Sequence, residues 1–324
     1  MENNNPHTST ALRLVSIIIP VYNGGNYMRE AIDSALAQTY ENKEIIVVND
    51  GSCDGGETER IALSYGDSIR YIAKENGGVS SALNAGIAEM RGEYFSWLSH
   101  DDRYTPEKVK ASMDMLLRFE DKSLIALCGD CQIDKNSERL AGASRRKRFD
   151  AGRVVPYGEV LSELLGYGSF HGCALLIPKS VFLNVGGFCE DLRYSQDWLM
   201  WQEIFLSGYS LVYTDYEGVE GRVHGGQLTE TGRSLFYRDS IYVGERLIPR
   251  YLEISTKNKN FLYAFAKNNG RYNNASVVDS CIAAAKEKKL FSAKQIITLK
   301  AICLYGKIRP LIRSAYYRII KGAK

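Results

Sequence analysis

Between residues 15 and 50 the hydrophobic rhythm of the chain changes twice. Val15 to Ile19 is an unbroken, β-branched apolar run, the pattern of a strand buried on both faces of a parallel sheet. Pro20 is expected to end it. Asn23-Gly24-Gly25 reads as a turn, after which Met28, Ala31, Ile32, Ala35 and Leu36 recur with the period of an amphipathic helix. Ile45 to Val48 is the next buried strand, with Asn49-Asp50-Gly51-Ser52 at its carboxyl end. The alternation continues through a helix over 57–65, a strand from Ile69 to Ala73 and a helix from Ser80 to Met90. Tyr94 to Leu98 is a further strand, closed by Ser99-His100-Asp101-Asp102, and a helix is expected from near Pro106 to Phe119. Strands at Ile125 to Cys131 and Gly172 to Pro178 and a helix from Asp197 to Ser207 follow. This order predicts an α/β fold around a sheet of parallel character. Past Gly226 the strand pattern vanishes. Residues 233–252, 275–290 and 292–320 favour helices, with Asn268-Asn269-Gly270 read as a break between them.

At 324 residues and 45% hydrophobic, the chain can bury a large core and hold two structural units. No apolar run approaches the ~20 residues that span a bilayer. Met1 to Arg13 is polar and has no apolar signal core, so it reads as a disordered leader of a cytoplasmic protein. Seven cysteines, an odd number without framework spacing, agree with a reducing compartment. Cys128 and Cys131 have the spacing of half a metal site. They fall on a strand with no second pair, and packed thiols are expected. Arg145-Arg146-Lys147-Arg148 lies where the pattern dissolves. No interleaved aromatics accompany it, which argues for a solvated loop and against nucleic acid.

Charge changes the picture at the C-terminus. Residues 286–324 hold eleven lysines and arginines against one acid, Glu287, a net of +10 in a chain whose total is +3. Leu311, Ile312, Ala315, Tyr316, Ile319 and Ile320 would share one side of a helix whose first turn is expected at Pro310. Arg313, Lys321 and Lys324 would point away. Such a tail suits an anionic membrane surface, or packing against protein.

Ligands of open α/β sheets bind beyond the carboxyl ends of the strands, so Asp50 is placed to meet one. Asn76-Gly77-Gly78-Val79 lies between a strand and a helix, where glycines let the backbone approach a ligand and the helix N-terminus favours phosphate.

The segments Pro20-Val21-Tyr22-Asn23, Val48-Asn49-Asp50-Gly51-Ser52, NGGVSSALNAG (76–86), SHDD (99–102), GGFCE (186–190), QDW (196–198) and RVHGG (222–226) occur in the order seen in family 2 glycosyltransferases. The chain resembles that family over residues 14 to 228. The resemblance implies a GT-A fold, a mixed sheet flanked by helices, as the catalytic domain over 14–228. A leader (1–13) would precede it and a helical C-terminal region (229–324) follow it. It further implies transfer of a sugar from a nucleotide-diphosphate donor to a glycan or lipid-linked acceptor, with inversion, in bacterial surface-polysaccharide biosynthesis.

The site residues come with the resemblance. Pro20, Tyr22, Asp50, Asn76, Gly77, Gly78, Asp101 and Arg222 would bind the donor, and Asp50 would accept the imide N–H of uracil. SHDD stands in the place of the DxD motif, with Ser99 where an aspartate is usual. Asp102, Asp101 and His224 would then hold Mn²⁺ or Mg²⁺, Asp102 favoured for metal and Asp101 for ribose. Leu83 stands where the family often has arginine. Asp197 takes the acceptor-base role, with Gln196 replacing the usual glutamate and Ser195 expected to cap the helix. Asp191, directly after GGFCE, is the rival base. His171 is expected to face the acceptor. Two other readings are a sugar-nucleotidyltransferase, whose glycine-rich activating loop is not evident after Ile19, and a silent sugar-binding scaffold.

Overall fold

A computed structural model describes residues 13–142, 148–227, 233–258 and 260–322, with the side chains of 233–234 and 309–322 outside the described set. The chain forms two compact units. The first comprises Met1–Arg153, His171–Gly187 and Val212–Val223; the second comprises Val154–Phe170, Phe188–Leu211 and His224–Lys324.

The first unit is built on strands β1 (Val15–Val21), β2 (Lys43–Asp50), β3 (Arg70–Lys74), β4 (Tyr94–Trp97), β5 (Arg103–Tyr104), β6 (Ile125–Ile133), β8 (Leu175–Pro178) and β9 (Leu211–Arg222), in the order β3-β2-β1-β4-β8-β6-β9-β5. The four strands from β3 to β4 run parallel, whereas β8 pairs antiparallel with both β4 and β6, and β9 pairs antiparallel with β5. The sheet is therefore mixed, as the resemblance implies. Helices α1 (Met28–Leu36), α2 (Glu57–Leu63), α3 (Val79–Glu89), α4 (Lys108–Leu116) and α6 (Lys179–Val185) accompany it. From β1 the chain winds to β2 on one side, and from β3 it returns to β4 on the other. That reversal opens a crevice at the carboxyl ends of β1 and β4, where open sheets take ligands.

Local pattern accounts for most of this. All seven residues of β1 are buried, and α1 buries Met28, Ala31, Ile32 and Ala35 at helical spacing. Leu83 is buried within α3, and Gly86 of the same helix lets Ile18 approach so closely that a Cβ there would stand 2.4 Å from it.

Several expectations are corrected. Pro20 lies inside β1. The Ile18 carbonyl faces β4 and accepts from Leu98 N, so the Pro20 nitrogen faces the same side two residues on, where the β1–β4 pairing has ended at Trp97. The ladder loses no donor. The helix after Pro106 begins at Lys108, and the strand expected from Gly172 starts at Leu175, after a 3₁₀ turn over Gly172–Ala174. Cys128 and Cys131 are both buried and free, and their i,i+3 spacing on β6 puts them on opposite faces.

The second unit contains the two-residue strand β7 (Val154–Val155) and helices α5 (Tyr157–Tyr167), α7 (Gln196–Leu206), α8 (Arg233–Ser255), α9 (Asn260–Arg271), α10 (Ala275–Glu287) and α11 (Ala293–Gly322). Its core includes the buried Trp201 and Tyr251, the latter stacked on Phe265 at 4.3 Å. Asn268-Asn269-Gly270 is not a break but part of α9. The Asn268 amide donates to the Leu165 carbonyl at 2.7 Å and that of Asn269 to Phe265, so the polar pair is satisfied inside the unit. Gly306 of α11 is the glycine the packing needs: a Cβ there would lie 2.5 Å from the Gly270 carbonyl oxygen. Helix α11 runs through Pro310, so the tail extends a helix nucleated upstream at Ala293. The tail's apolar and basic side chains beyond residue 308, like Arg145, Arg146 and Lys147 of the basic stretch and residues 1–12, lie outside the described residues. Among the described residues no helix is long and apolar enough to cross a membrane.

Candidate active site

The carboxyl ends of β1 and β2 are stitched together by their loops. Asn23 Oδ1 accepts from Cys53 N at 2.8 Å, and Asn23 N donates to Ser52 Oγ at 2.9 Å. Asn23 adopts a positive φ of 52°, which asparagine tolerates. Beside them Tyr22 is 46% exposed, its hydroxyl 3.5 Å from Cys53 Sγ, whereas Pro20 is buried in the strand.

Asp50 sits buried at the end of β2. Its Oδ1 accepts from Lys74 Nζ at 2.9 Å and Gly77 N at 3.0 Å, and its Oδ2 from Gly78 N at 2.7 Å. The carboxylate clasps the loop that precedes α3, using three of about four acceptor sites. Gly51 makes the approach possible. Its φ is +68°, and a Cβ there would stand 2.5 Å from Asn76 N. Asn76 itself is exposed.

The loop after β4 holds the most perturbed acid. Asp102 is 5% exposed, and burial pushes its carboxyl up to about 6; His171 and the Arg222 N–H act against that rise and Asp101 adds to it. Arg222 N donates to its Oδ1 at 2.9 Å. Its Oδ2 instead meets two side chains from the turn before β8: Cys173 Sγ at 3.4 Å and His171 Nε2 at 3.7 Å. Cys173 is fully buried, donates to Ser99 Oγ at 3.5 Å and accepts Ser99 N–H at 3.2 Å. Burial, with Asp102 adding to it, holds its thiol well above the usual range. His171 Nδ1 accepts from Cys173 N at 3.3 Å, which assigns the neutral ring's proton to Nε2, facing the carboxylate. Gly221 leaves room for that ring, since a Cβ would lie 2.9 Å from Nε2.

Arg222 is a tie, with its guanidinium turned inward. Nε donates to the Asp101 carbonyl at 2.8 Å, Nη1 to Ser137 Oγ at 2.8 Å and the Asp134 carbonyl at 3.2 Å, and Nη2 to Glu30 at 2.9 Å. The group also stacks 4.3 Å over the Tyr27 ring. It anchors the Asp101-Asp102 loop from behind. Strand β9 ends at Arg222, so His224 lies beyond the strand that carries Arg222.

In the second unit, Asp197 lies half-buried in the first turn of α7, where the helix N-terminus favours its ionised form. Its Oδ2 accepts from Ser169 Oγ at 3.2 Å, and Oδ1 lies 2.7 Å from Trp198 N. Ser195 holds the cap position without a side-chain cap bond, contrary to expectation. Asp239 of α8, buried and absent from the sequence reading, instead secures the loop ahead of α7, its Oδ2 accepting from Arg193 N at 2.9 Å and Tyr194 N at 2.8 Å. The rival Asp191 is exposed and accepts from Tyr242 OH at 3.3 Å. His224 is half-buried, with Nδ1 accepting from Gly226 N.

Among the described residues, Asp102, His171 and Cys173 offer ligand atoms that all lie within 4.8 Å of one another. Asp102 Oδ2 is the one oxygen of that carboxylate turned away from backbone donors. The carboxylate and imidazole fit a divalent cation that keeps water or phosphate oxygens in its remaining positions, better for Mn²⁺, which accepts nitrogen, than for Mg²⁺. Sequence reasoning had given His171 to the acceptor and passed over Cys173.

Comparison with known proteins bears on the family and the fold. Residues 16–170 match the model of glycosyl transferase family 2. An uncharacterised glycosyltransferase of Rickettsia prowazekii is 50% identical over 220 residues, 67% of this chain and 66% of that protein, so the match spans just under two thirds of the relative's length. The fold is that of S. aureus TarS. One TarS crystal structure superposes with a TM-score of 0.65 at 17% identity, over 92% of this chain and 53% of that one. TarS residues 1–349 in complex with UDP-GlcNAc give 0.61 at 17% identity, over 90% and 91%.

Proposed function

Because the chain belongs to glycosyl transferase family 2, we propose that it moves a sugar from a nucleotide-diphosphate donor, a UDP-sugar in our reading, to a hydroxyl of a glycan or lipid-linked saccharide, with inversion. The observation that carries this reading is Asp102, a buried acid at the carboxyl end of β4 with one oxygen left for a ligand. The complex of the TarS fold with UDP-GlcNAc supports the choice of donor.

In this reading Tyr22 and the Asp50-clasped loop of Asn76, Gly77 and Gly78 hold the nucleotide. Backbone N–H groups of the first turn of α3, beyond the two glycines that Asp50 engages, would face its phosphates. Asp101 takes the ribose. Arg222 acts through the loop it anchors, its guanidinium being engaged by protein partners. Asp197 accepts the proton of the acceptor hydroxyl as that oxygen attacks the anomeric carbon opposite the leaving diphosphate. A divalent cation held by Asp102 would supply positive charge to the departing diphosphate. The basic tail would bring the protein to an anionic membrane surface carrying the acceptor, in bacterial surface-polysaccharide assembly.

A panel of nucleotide sugars tests this. The cognate donor should raise Tm in a Mn²⁺-dependent way and be slowly hydrolysed. Both effects should weaken in Asp102→Asn, and transfer alone should be lost in Asp197→Asn. If no nucleotide sugar shifts Tm with any divalent cation, the reading fails.

A further inference from the structure

We propose that Asp102, His171 and Cys173 form a binding site for a thiophilic divalent cation, Zn²⁺ being the biological candidate, with a ligand set distinct from the all-oxygen chemistry of a Mg²⁺ site. The evidence is the spacing. With Zn–O and Zn–N bonds of about 2.0 Å and a Zn–S bond of about 2.3 Å, ligand atoms at tetrahedral corners stand roughly 3.3–3.6 Å apart. Asp102 Oδ2 lies 3.4 Å from Cys173 Sγ and 3.7 Å from His171 Nε2, and all three atoms fall within 4.8 Å. Little movement separates this cluster from a coordination sphere with one corner left for water.

The groups behind these ligands match what thiolate and carboxylate ligands need. Ser99 N–H points at Cys173 Sγ at 3.2 Å, a bond that strengthens as sulfur becomes negative. Arg222 N–H holds the far oxygen of Asp102, which leaves Oδ2 aimed at the cluster. The antiparallel pairing of β4 and β8, with Ser96 opposite Leu176, puts Cys173 across from Ser99 and so brings the two loops into register. His171, whose side chain is 17% exposed, is the open side through which an ion would enter.

Binding has a defined proton balance. Cys173 Sγ loses its proton to solvent, ending its bonds to Asp102 Oδ2 and Ser99 Oγ. The His171 ring proton moves from Nε2 to Nδ1, so the Cys173 N–H bond to Nδ1 is exchanged for the metal bond. Since Asp102 Oδ2 would be shared, Zn²⁺ should inhibit transfer by excluding the cation that serves the diphosphate. That consequence alone rests on the transferase reading.

Cobalt titration of the full chain tests the site without any donor sugar or activity. Co²⁺ should bind one per chain, giving a cobalt–thiolate charge-transfer band and the d–d absorption of a tetrahedral site, and Zn²⁺ should bleach both stoichiometrically. Cys173→Ser should remove the charge-transfer band. Asp102→Asn, which leaves every thiol in place, should weaken binding by at least about tenfold. Absence of the band at saturating Co²⁺, or a band that survives Cys173→Ser, overturns the proposal. Zn²⁺ inhibition that is relieved in Cys173→Ser would support the shared carboxylate. Bleaching without inhibition would leave the site standing and count against the transferase role of Asp102.

Discussion

Lys108 offers the sharpest test of the physics under the active-site edge. It is fully buried at the start of α4 and has no carboxylate partner among the described residues; its ammonium meets Ser96 Oγ at 2.5 Å, Tyr104 OH at 3.3 Å and the Leu175 carbonyl at 3.4 Å, above the Tyr104 ring. Burial brings its pKa down from 10.5 to about 8, opposed by Cys128 and Cys173. The unfolded chain therefore keeps this proton to higher pH than the folded one. The buried charge destabilises the fold in full below about pH 8, and its effect fades as pH climbs toward the unfolded value. At about 1.4 kcal/mol per unit, the folded state should gain on the order of 2.5 kcal/mol from this group between pH 7 and pH 10.

Lys108→Met removes the charge and keeps the stem's volume. Ser96 Oγ and Tyr104 OH still bond each other at 2.8 Å, and Tyr104 OH still donates to the Trp97 carbonyl. Urea unfolding of both proteins at several values from pH 7 to pH 10 reads the difference. The variant's stability relative to wild type should fall by about 2 kcal/mol or more over that range, since only the wild type gains. Lost cation–π and hydrogen-bond contacts move the offset and leave the slope intact. Tyr104, Cys128 and Cys173 titrate in both proteins and largely cancel. A difference independent of pH would refute the reasoning.

Asp197→Asn should cut transfer by about 10²–10⁴-fold with UDP-sugar affinity unchanged, measured by turnover and calorimetry; normal turnover in it, with Asp191→Asn dead, would transfer the base role. Arg222→Lys keeps the charge but not the planar fork that reaches Asp101, Asp134, Ser137 and Glu30 together, and should lose about 2–3 kcal/mol in urea melts. Glu44 is held below its usual pKa: burial opposes the shift, but bonds from Ser16, Arg91 N, Gly92 N and Arg70 outweigh it. Its stabilisation exists above the unfolded pKa and is lost as pH falls through the lowered folded value. Glu44→Gln should accordingly cost about 1.5–3 kcal/mol at pH 7 and converge with wild type in acid. Deleting residues 308–324 should abolish salt-sensitive flotation with anionic liposomes; binding by the truncated chain would remove the tail from that role.

The parallel half of the sheet was legible because its information is local. Unbroken β-branched runs, a helical stripe at Met28, Ala31, Ile32 and Ala35, and turn glycines each act within a few residues. Helices α5 and α9 were not read, α9 because Asn268 and Asn269 look like a loop until Leu165 and Phe265 supply their carbonyl partners. At the site, the SHDD acids were legible by position. Their neighbours were not. Cys173 and His171 reach Asp102 only through the β4–β8 register, across a separation of 71 residues for Cys173. Lys108 carried a signal that went unused, since Val109, Ser112, Met113 and Leu116 put it on the buried side of its helix.

Asp50 and Asp102 show why a motif letter does not define a chemical role. Both are buried aspartates at or beyond the carboxyl end of a parallel strand, on one sheet edge. Asp50 meets an ammonium and two backbone N–H groups, so its charge is spent on shaping the loop before α3. Asp102 meets one backbone N–H, and among the described residues its other oxygen faces a thiol and an imidazole. Burial without enough donors raises the cost of its charge, and a cation relieves that cost. The first arrangement organises a site, whereas the second stores a demand for positive charge where the proposed transfer would need it supplied. Neutralising Asp50 should therefore disorder the glycine loop with or without ligand, whereas neutralising Asp102 should leave the metal-free fold intact and weaken its response to divalent cations.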